Sequence, residues 1–111
     1  MMAKKISVII KEPGKKPRHV NISGSLENLQ RTLGGYIETR QFASDAILIC
    51  DEEGRFKGYE HCCWVAGMEF VGTVIFAGTR GAEITDFPLD FAKFKMLFPS
   101  LWTDEQVPQS R

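Results

Sequence analysis

A chain of 111 residues is long enough for one packed domain and too short for two separate hydrophobic cores. Its 43% hydrophobic and 25% charged residues are those of an ordinary globular protein, which excludes a disordered or fibrous chain. Lys plus Arg and Asp plus Glu stand at 14 each and the pI is about 6.7, so no overall field draws the protein onto a polyanion and general nucleic-acid binding by counterion release is excluded.

From the N-terminus, MMAKKISVII sets two lysines before an apolar run. That run, Ile6 to Ile10, is broken by Ser7 and ended by Lys11-Glu12, so it is too short for a signal-peptide core or a membrane span. Three cysteines, an odd number, do not make a secreted disulfide framework. A cytoplasmic protein is expected. Lys4–Lys11 is a β-branched run with Ile6, Val8 and Ile10 in alternation and Ile9 between them, which predicts a strand buried fully on one face and partly on the other. EPGKKP is turn chemistry, because Pro13 presets φ and Gly14 tolerates positive φ. RHVNI returns as a second strand, with Val20 and Ile22 on one face and His19 and Asn21 on the other.

SGSLENLQRTLGG predicts a helix. Ser25 is its N-cap, Leu26, Leu29 and Leu33 form one buried stripe, and Gly34-Gly35 is the stop. YIETRQF follows as a strand with Tyr36, Glu38 and Arg40 on one side. Ala46–Cys50 is a wholly apolar central strand, and DEEG is a tight turn leading into RFKGY. A weaker extended stretch carries His61–Trp64, and Phe70–Gly78 reads as one strong strand. A second helix starts near Pro88–Asp90 with Phe91, Phe94, Leu97 and Phe98 on one face. Pro99 closes it, and Leu101-Trp102 fold back onto the core. These elements predict a single α+β domain over residues 1–102, of order ββαβββα, with roughly five to six mostly antiparallel strands packed by two helices. Residues 103–111 are expected to form a flexible tail.

Candidate chemistry centres on His61, Cys62, Cys63 and Trp64. In an extended strand His61 and Cys63 share one face and Cys62 points to the other. Adjacent cysteines do not easily join one tetrahedral metal site, and no C-x-x-C or H-x-x-x-H partner is present, so neither a metal nor a cofactor is expected. Cys50 and one of the pair read as small buried apolar residues. A Cys-His nucleophile would need an orienting third group and an oxyanion hole, which nothing marks, and no catalytic residue is assigned. Lys11, Lys15, Lys16, Arg18 and His19 gather around the first turn as an exposed, soluble tip or a cationic lip for phosphate. There is no G-x-x-x-x-G-K-[ST], and GGY follows a helix rather than opening one, so P-loop and dinucleotide folds are excluded.

Taken together, VIIKEPGKKP, LENLQRTLGGYIET, ILICDEEGRFKG, FVGTVIFAG and FPLDFAKFKMLFPSLW resemble a small bacterial and phage family known only as a domain of unknown function. The resemblance spans Lys4 to Trp102. It implies a compact accessory protein of phages or mobile elements of Gram-positive bacteria, working inside the bacterial cell. This chain departs from the pattern at Asp51, where the family often has Asn, and at GYEHCC, where His61 stands near an expected Asn.

Three functions follow as expectations. The first is a non-enzymatic binder that sequesters a small phosphate-containing nucleotide signal of the host. Lys11, Lys16 and Arg18 would meet phosphate, Tyr36 and Tyr59 a base, and Glu38, Arg40 and His61 would orient it. The second is a protein-docking module, or a homodimer, acting through the aromatic C-terminal helix. The third is a nucleotide hydrolase using His61 with Glu38 or Asp51.

Overall fold

The computed structural model describes residues 4–102, so the tail expected at 103–111 lies outside the described residues. Strands β1 (Lys5–Lys11) and β2 (Arg18–Ser23) form the opening hairpin, with Ile6 opposite Ile22 and Val8 opposite Val20. Helix α1 (Leu26–Leu33) follows. The Ser25 hydroxyl accepts from the Asn28 amide at its start, and Gly34, at φ 95°, ends it. Next come β3 (Ile37–Ala43) and β4 (Ala46–Asp51), then a separate two-stranded sheet of β5 (His61–Val65) and β6 (Met68–Val71). Strands β7 (Val74–Arg80) and β8 (Glu83–Thr85) lead to α2 (Phe91–Leu97), capped by Asp90, and to a 3-10 turn at Pro99–Trp102.

The main sheet runs β2-β1-β7-β4-β3 with every pair antiparallel, and β8 extends it beside the end of β7. The fold is α+β, in three layers. On one face Val8 and Ile10, Ile47 and Ile49, and Ile75 pack with Leu29 and Leu33 of α1. On the other, Ile9, Leu48 and Phe76 meet Phe94 and Leu101 from the C-terminal segment and Cys63, Val65 and Phe70 from the β5–β6 hairpin. Since β4 and β7 are covered on both sides, their sequences are continuous apolar runs rather than alternating ones.

Several details depart from the sequence reading. Phe70–Gly78 is not one strand: the chain turns at Gly72-Thr73, and its first part belongs to the small sheet. Strand β8 is only 3 residues long, too short to show alternation. Leu26 opens α1 before the helix reaches the sheet and is 57% exposed. Leu97 is 63% exposed because α2 presses on the core through Phe94, which places Met96 and Leu97 on its outer side.

Candidate functional site

Lys11 pairs with Val74, Ile49 with Ile75 and Ile37 with Asp51. The β1–β2 turn, the Gly34–Tyr36 link and the loop after β4 therefore all lie at one end of the main sheet. That loop, residues 52–60, is short of regular structure but rich in anchors. Asp51, at the end of the apolar β4, is buried and ionised. Its Oδ1 accepts from the Glu53 amide at 2.8 Å, and its Oδ2 accepts from Lys57 Nζ at 2.8 Å and from the Tyr59 hydroxyl at 2.9 Å. Burial alone would raise the Asp51 carboxyl, but the hydrogen bonds from Lys57, Glu53 and Tyr59 outweigh it and hold the group below the usual carboxylate range. Lys57 Nζ also donates to the Gly34 carbonyl at 3.1 Å, tying the loop to the C-terminus of α1. A Cβ at Gly35 would lie 2.5 Å from Lys57 Nζ and 2.8 Å from Asp51 Oδ2, so a larger residue there would push these side chains out of their contact.

A second anchor joins the loop to β6. Arg55 donates from Nη1 to Glu69 Oε1 at 3.3 Å and from Nη2 to the Glu69 carbonyl at 2.9 Å. The other Glu69 oxygen accepts from His61 Nδ1 at 2.7 Å. The His61 hydrogen bond, followed by the Arg55 contacts, holds Glu69 below the usual carboxylate range. On β3, Arg40 Nε donates to Glu38 Oε2 at 2.8 Å, and Arg40 Nη1 points to the Met68 sulfur at 3.7 Å. Between β3–β4, the loop and β6 opens a cleft of about 280 Å³. Glu38, Arg40, Glu52, Arg55 and Glu69 supply its polar walls, while Cys50, Phe70 and Val71 supply apolar surface. Burial pushes the Cys50 thiol up to about 11, so it is protonated at neutral pH.

The same loop carries Phe56, which is 92% exposed. Tyr36 and Trp64 are also exposed, at 70% and 40%.

A domain of unknown function, DUF3846, matches residues 5–98. The chain belongs to this family. No curated protein and no solved structure matches it. The DUF3846 match runs from β1 through α2, so both the Asp51 lock and the cleft lie inside it.

Of the residues singled out from the sequence of this DUF3846 domain, Glu38 and Arg40 line the cleft, and His61 joins it through Glu69. Tyr59 borders a separate groove of about 210 Å³ with Pro13, Leu33 and Gly72, its hydroxyl held by Asp51. Lys11 is buried and donates to the Glu12 carbonyl at 2.9 Å. Arg18 stands 3.8 Å from Glu12, and Lys16 is exposed. Neither Lys11, Lys16 nor Arg18 lines the cleft or the Tyr59 groove. Tyr36 is exposed and lines neither.

The cysteine pair is arranged differently from a regular strand. The β5–β6 register slips between His61 and Cys63, and this bulge turns Cys62 inward, so that Cys62 and Cys63 are both buried in one cluster. Cys62 Sγ donates to the Lys11 carbonyl at 3.4 Å. Cys50 is buried as well. Among the described residues, no three His, Cys, Asp or Glu side chains are placed together to hold a metal ion, and no helix is long and apolar enough to cross a membrane.

The sequence reading did not include Arg55, Phe56, Lys57 or Glu69. One signal for them was present: an acidic residue closing an apolar strand, with Lys57 and Tyr59 within reach across a turn.

Proposed function

We propose that this protein is a non-catalytic binding module that docks on another protein through the loop bearing Phe56. The observation that carries this reading is the 92% exposure of Phe56 on a loop anchored on both sides of it, by Arg55 to β6 and by Lys57 to Asp51 and α1. A phenylalanine left in water forgoes about 1.5–3 kcal/mol of burial. A loop free to move would fold such a ring against the protein; this one is held so that it does not. An exposed aromatic side chain carried on a loop anchored on both sides suits an energetic hot spot, since little backbone entropy is lost when it is covered.

Other readings have less support. Three of the cations that could meet a phosphate group are paired with carboxylates, Arg40 with Glu38, Arg55 with Glu69 and Arg18 with Glu12, and the exposed Lys16 lies outside the cleft. For hydrolysis, His61 has Nδ1 bound to Glu69, and its Nε2 is buried without a partner among the described residues, out of reach of a substrate. The aromatic rings of α2 face inward, with Phe94 within 4.9 Å of Phe76 and 5.0 Å of Phe98 by ring centroids. Docking through α2, or a homodimer there, would rest on Met96 and Leu97 alone. The resemblance to phage and mobile-element proteins supports a role as an accessory factor acting on a component of the bacterial cell.

Phe56→Ala is expected to leave the thermal unfolding midpoint unchanged, because a fully exposed side chain contributes within about 0.5 kcal/mol of stability. It is also expected to remove specific partners recovered from bacterial lysate by the wild-type protein, while Met96→Ala keeps them. Partners retained by Phe56→Ala and lost by Met96→Ala would move the docking face to α2. A nucleotide released intact on denaturing the purified protein would instead favour sequestration of a small ligand.

A further inference from the structure

The cleft beside Phe56 has a charge that limits what can enter it. Its lining holds Glu38, Asp51, Glu52 and Glu69 against Arg40 and Arg55. Both guanidinium groups already face carboxylates, Arg40 at 2.8 Å from Glu38 and Arg55 at 3.3 Å from Glu69. Asp51 is satisfied by Lys57 and Tyr59. Among the described residues the Glu52 carboxylate has no hydrogen-bond or ion-pair partner, and it stands on the loop next to Glu53, which is also exposed. An anion entering this cleft would meet guanidinium groups whose charge is already shared with Glu38 and Glu69, with the Glu52 carboxylate beside them. A cation would meet Glu52 and the second carboxylate oxygen of Glu38 without breaking either pair.

The cleft also has apolar surface from Phe70 and Val71, next to the aliphatic stem and sulfur of Met68. A flexible alkyl chain ending in a positive charge fits both features, with the stem against apolar atoms and the charge among carboxylates. Phe56 on the adjoining loop requires apolar surface from the same partner.

Resting on the docking reading above, we propose that the partner presents a basic, partly apolar protein segment. A Lys or Arg side chain of that segment enters the cleft, and neighbouring apolar side chains cover Phe56. Charge complementarity argues for this occupant: the chain as a whole is neutral, whereas the cleft carries an excess of carboxylates. Glu38 and Glu52 act as specificity-determining residues, and Phe56 as the apolar anchor.

Selection of a displayed library of random linear peptides against the full-length protein tests both layers. Peptides pairing Lys or Arg with an aliphatic or aromatic residue are expected to be enriched. Their affinity should fall with added salt and drop roughly tenfold in Glu38→Gln and in Glu52→Gln, both outside the Asp51 lock. Phe56→Ala should remove binding altogether. Enriched peptides that need Phe56 but carry no basic residue, or that bind the two glutamine variants unchanged, would overturn the basic-segment proposal and leave docking by Phe56 standing. Peptides indifferent to Phe56→Ala, or no enrichment over a Phe56→Ala control selection, would overturn both.

Discussion

Asp51→Ala is expected to destabilise the protein by about 3 kcal/mol, a large part of the roughly 5–15 kcal/mol available to a domain of this size. The carboxylate is buried and accepts three hydrogen bonds, from Glu53, Lys57 and Tyr59. Its removal leaves the Glu53 amide and the Tyr59 hydroxyl without their acceptor and frees the Lys57 link to α1. Asp51→Asn keeps one acceptor oxygen but turns the other into an NH2 group that faces a donor, so it loses the charge and one acceptor, and its cost is expected to approach that of Asp51→Ala. The pH dependence follows from the depressed folded-state value of Asp51. A carboxyl held below its unfolded value stabilises the fold at every pH above the ordinary carboxylate range, near pH 4, and that stabilisation is lost as pH falls through the folded value. Thermal unfolding midpoints of the wild type and Asp51→Asn should therefore differ most near neutrality and converge in acid. A gap that stays constant down to acid pH would show that the charge of Asp51 does not stabilise the fold.

Phe94→Ala is expected to cost about 3–5 kcal/mol. Phe94 is wholly buried between α2 and the sheet, and its ring meets Phe76 at 4.9 Å, Phe98 at 5.0 Å, Phe87 at 5.5 Å and Trp102 at 5.8 Å between centroids. Two of these contacts are edge-on to the ring they meet at close to a right angle, the arrangement aromatic quadrupoles prefer. Phe94 is the one fully buried side chain of α2, and Phe91, only partly buried, is a weaker anchor beside it. Chemical denaturation should report the fall in stability, and near-ultraviolet circular dichroism should lose the signal of the aromatic cluster. Phe94→Leu keeps most of the volume and is expected to cost under half as much. A Phe94→Ala protein as stable as the wild type would mean that α2 is dispensable to the core.

The parts of the fold legible in the sequence are those set by local chemistry. Ser25 and Gly34 mark the ends of α1 because a cap and a left-handed stop act within one turn. The runs around Leu48 and Phe76 read as central strands because both of their faces are apolar. What was not legible depends on partners distant in sequence. The bulge at Cys62 is a matter of pairing register with β6, and nothing in HCCW announces it. Leu97 fits a helical stripe as well as Phe94 does, and only the placement of α2 against Phe76 decides which is covered.

The candidate site shows the same division. Glu38 and Arg40 share a strand face, which alternation predicts, and they do meet. Arg55 and Glu69 are joined only by the way the β5–β6 hairpin folds over β3 and β4. Phe56 gave no pattern at all, since exposure of a single aromatic residue in a charged loop is set by the locks on either side of it. The residues of the GGYIE and DEEGRFKG stretches turn out to hold one another: Gly35 admits Lys57, and Asp51 holds Lys57 and Tyr59. Those stretches carry the architecture of the loop, and the surface it presents is a separate matter.

The most direct test of the docking account is photo-crosslinking in bacteria with p-benzoylphenylalanine placed at position 56, alongside a second variant carrying it at position 96. Docking by the loop predicts a discrete crosslinked adduct with one cellular protein at position 56 and none at position 96. No adduct at position 56, or the same adducts at both positions, would contradict it.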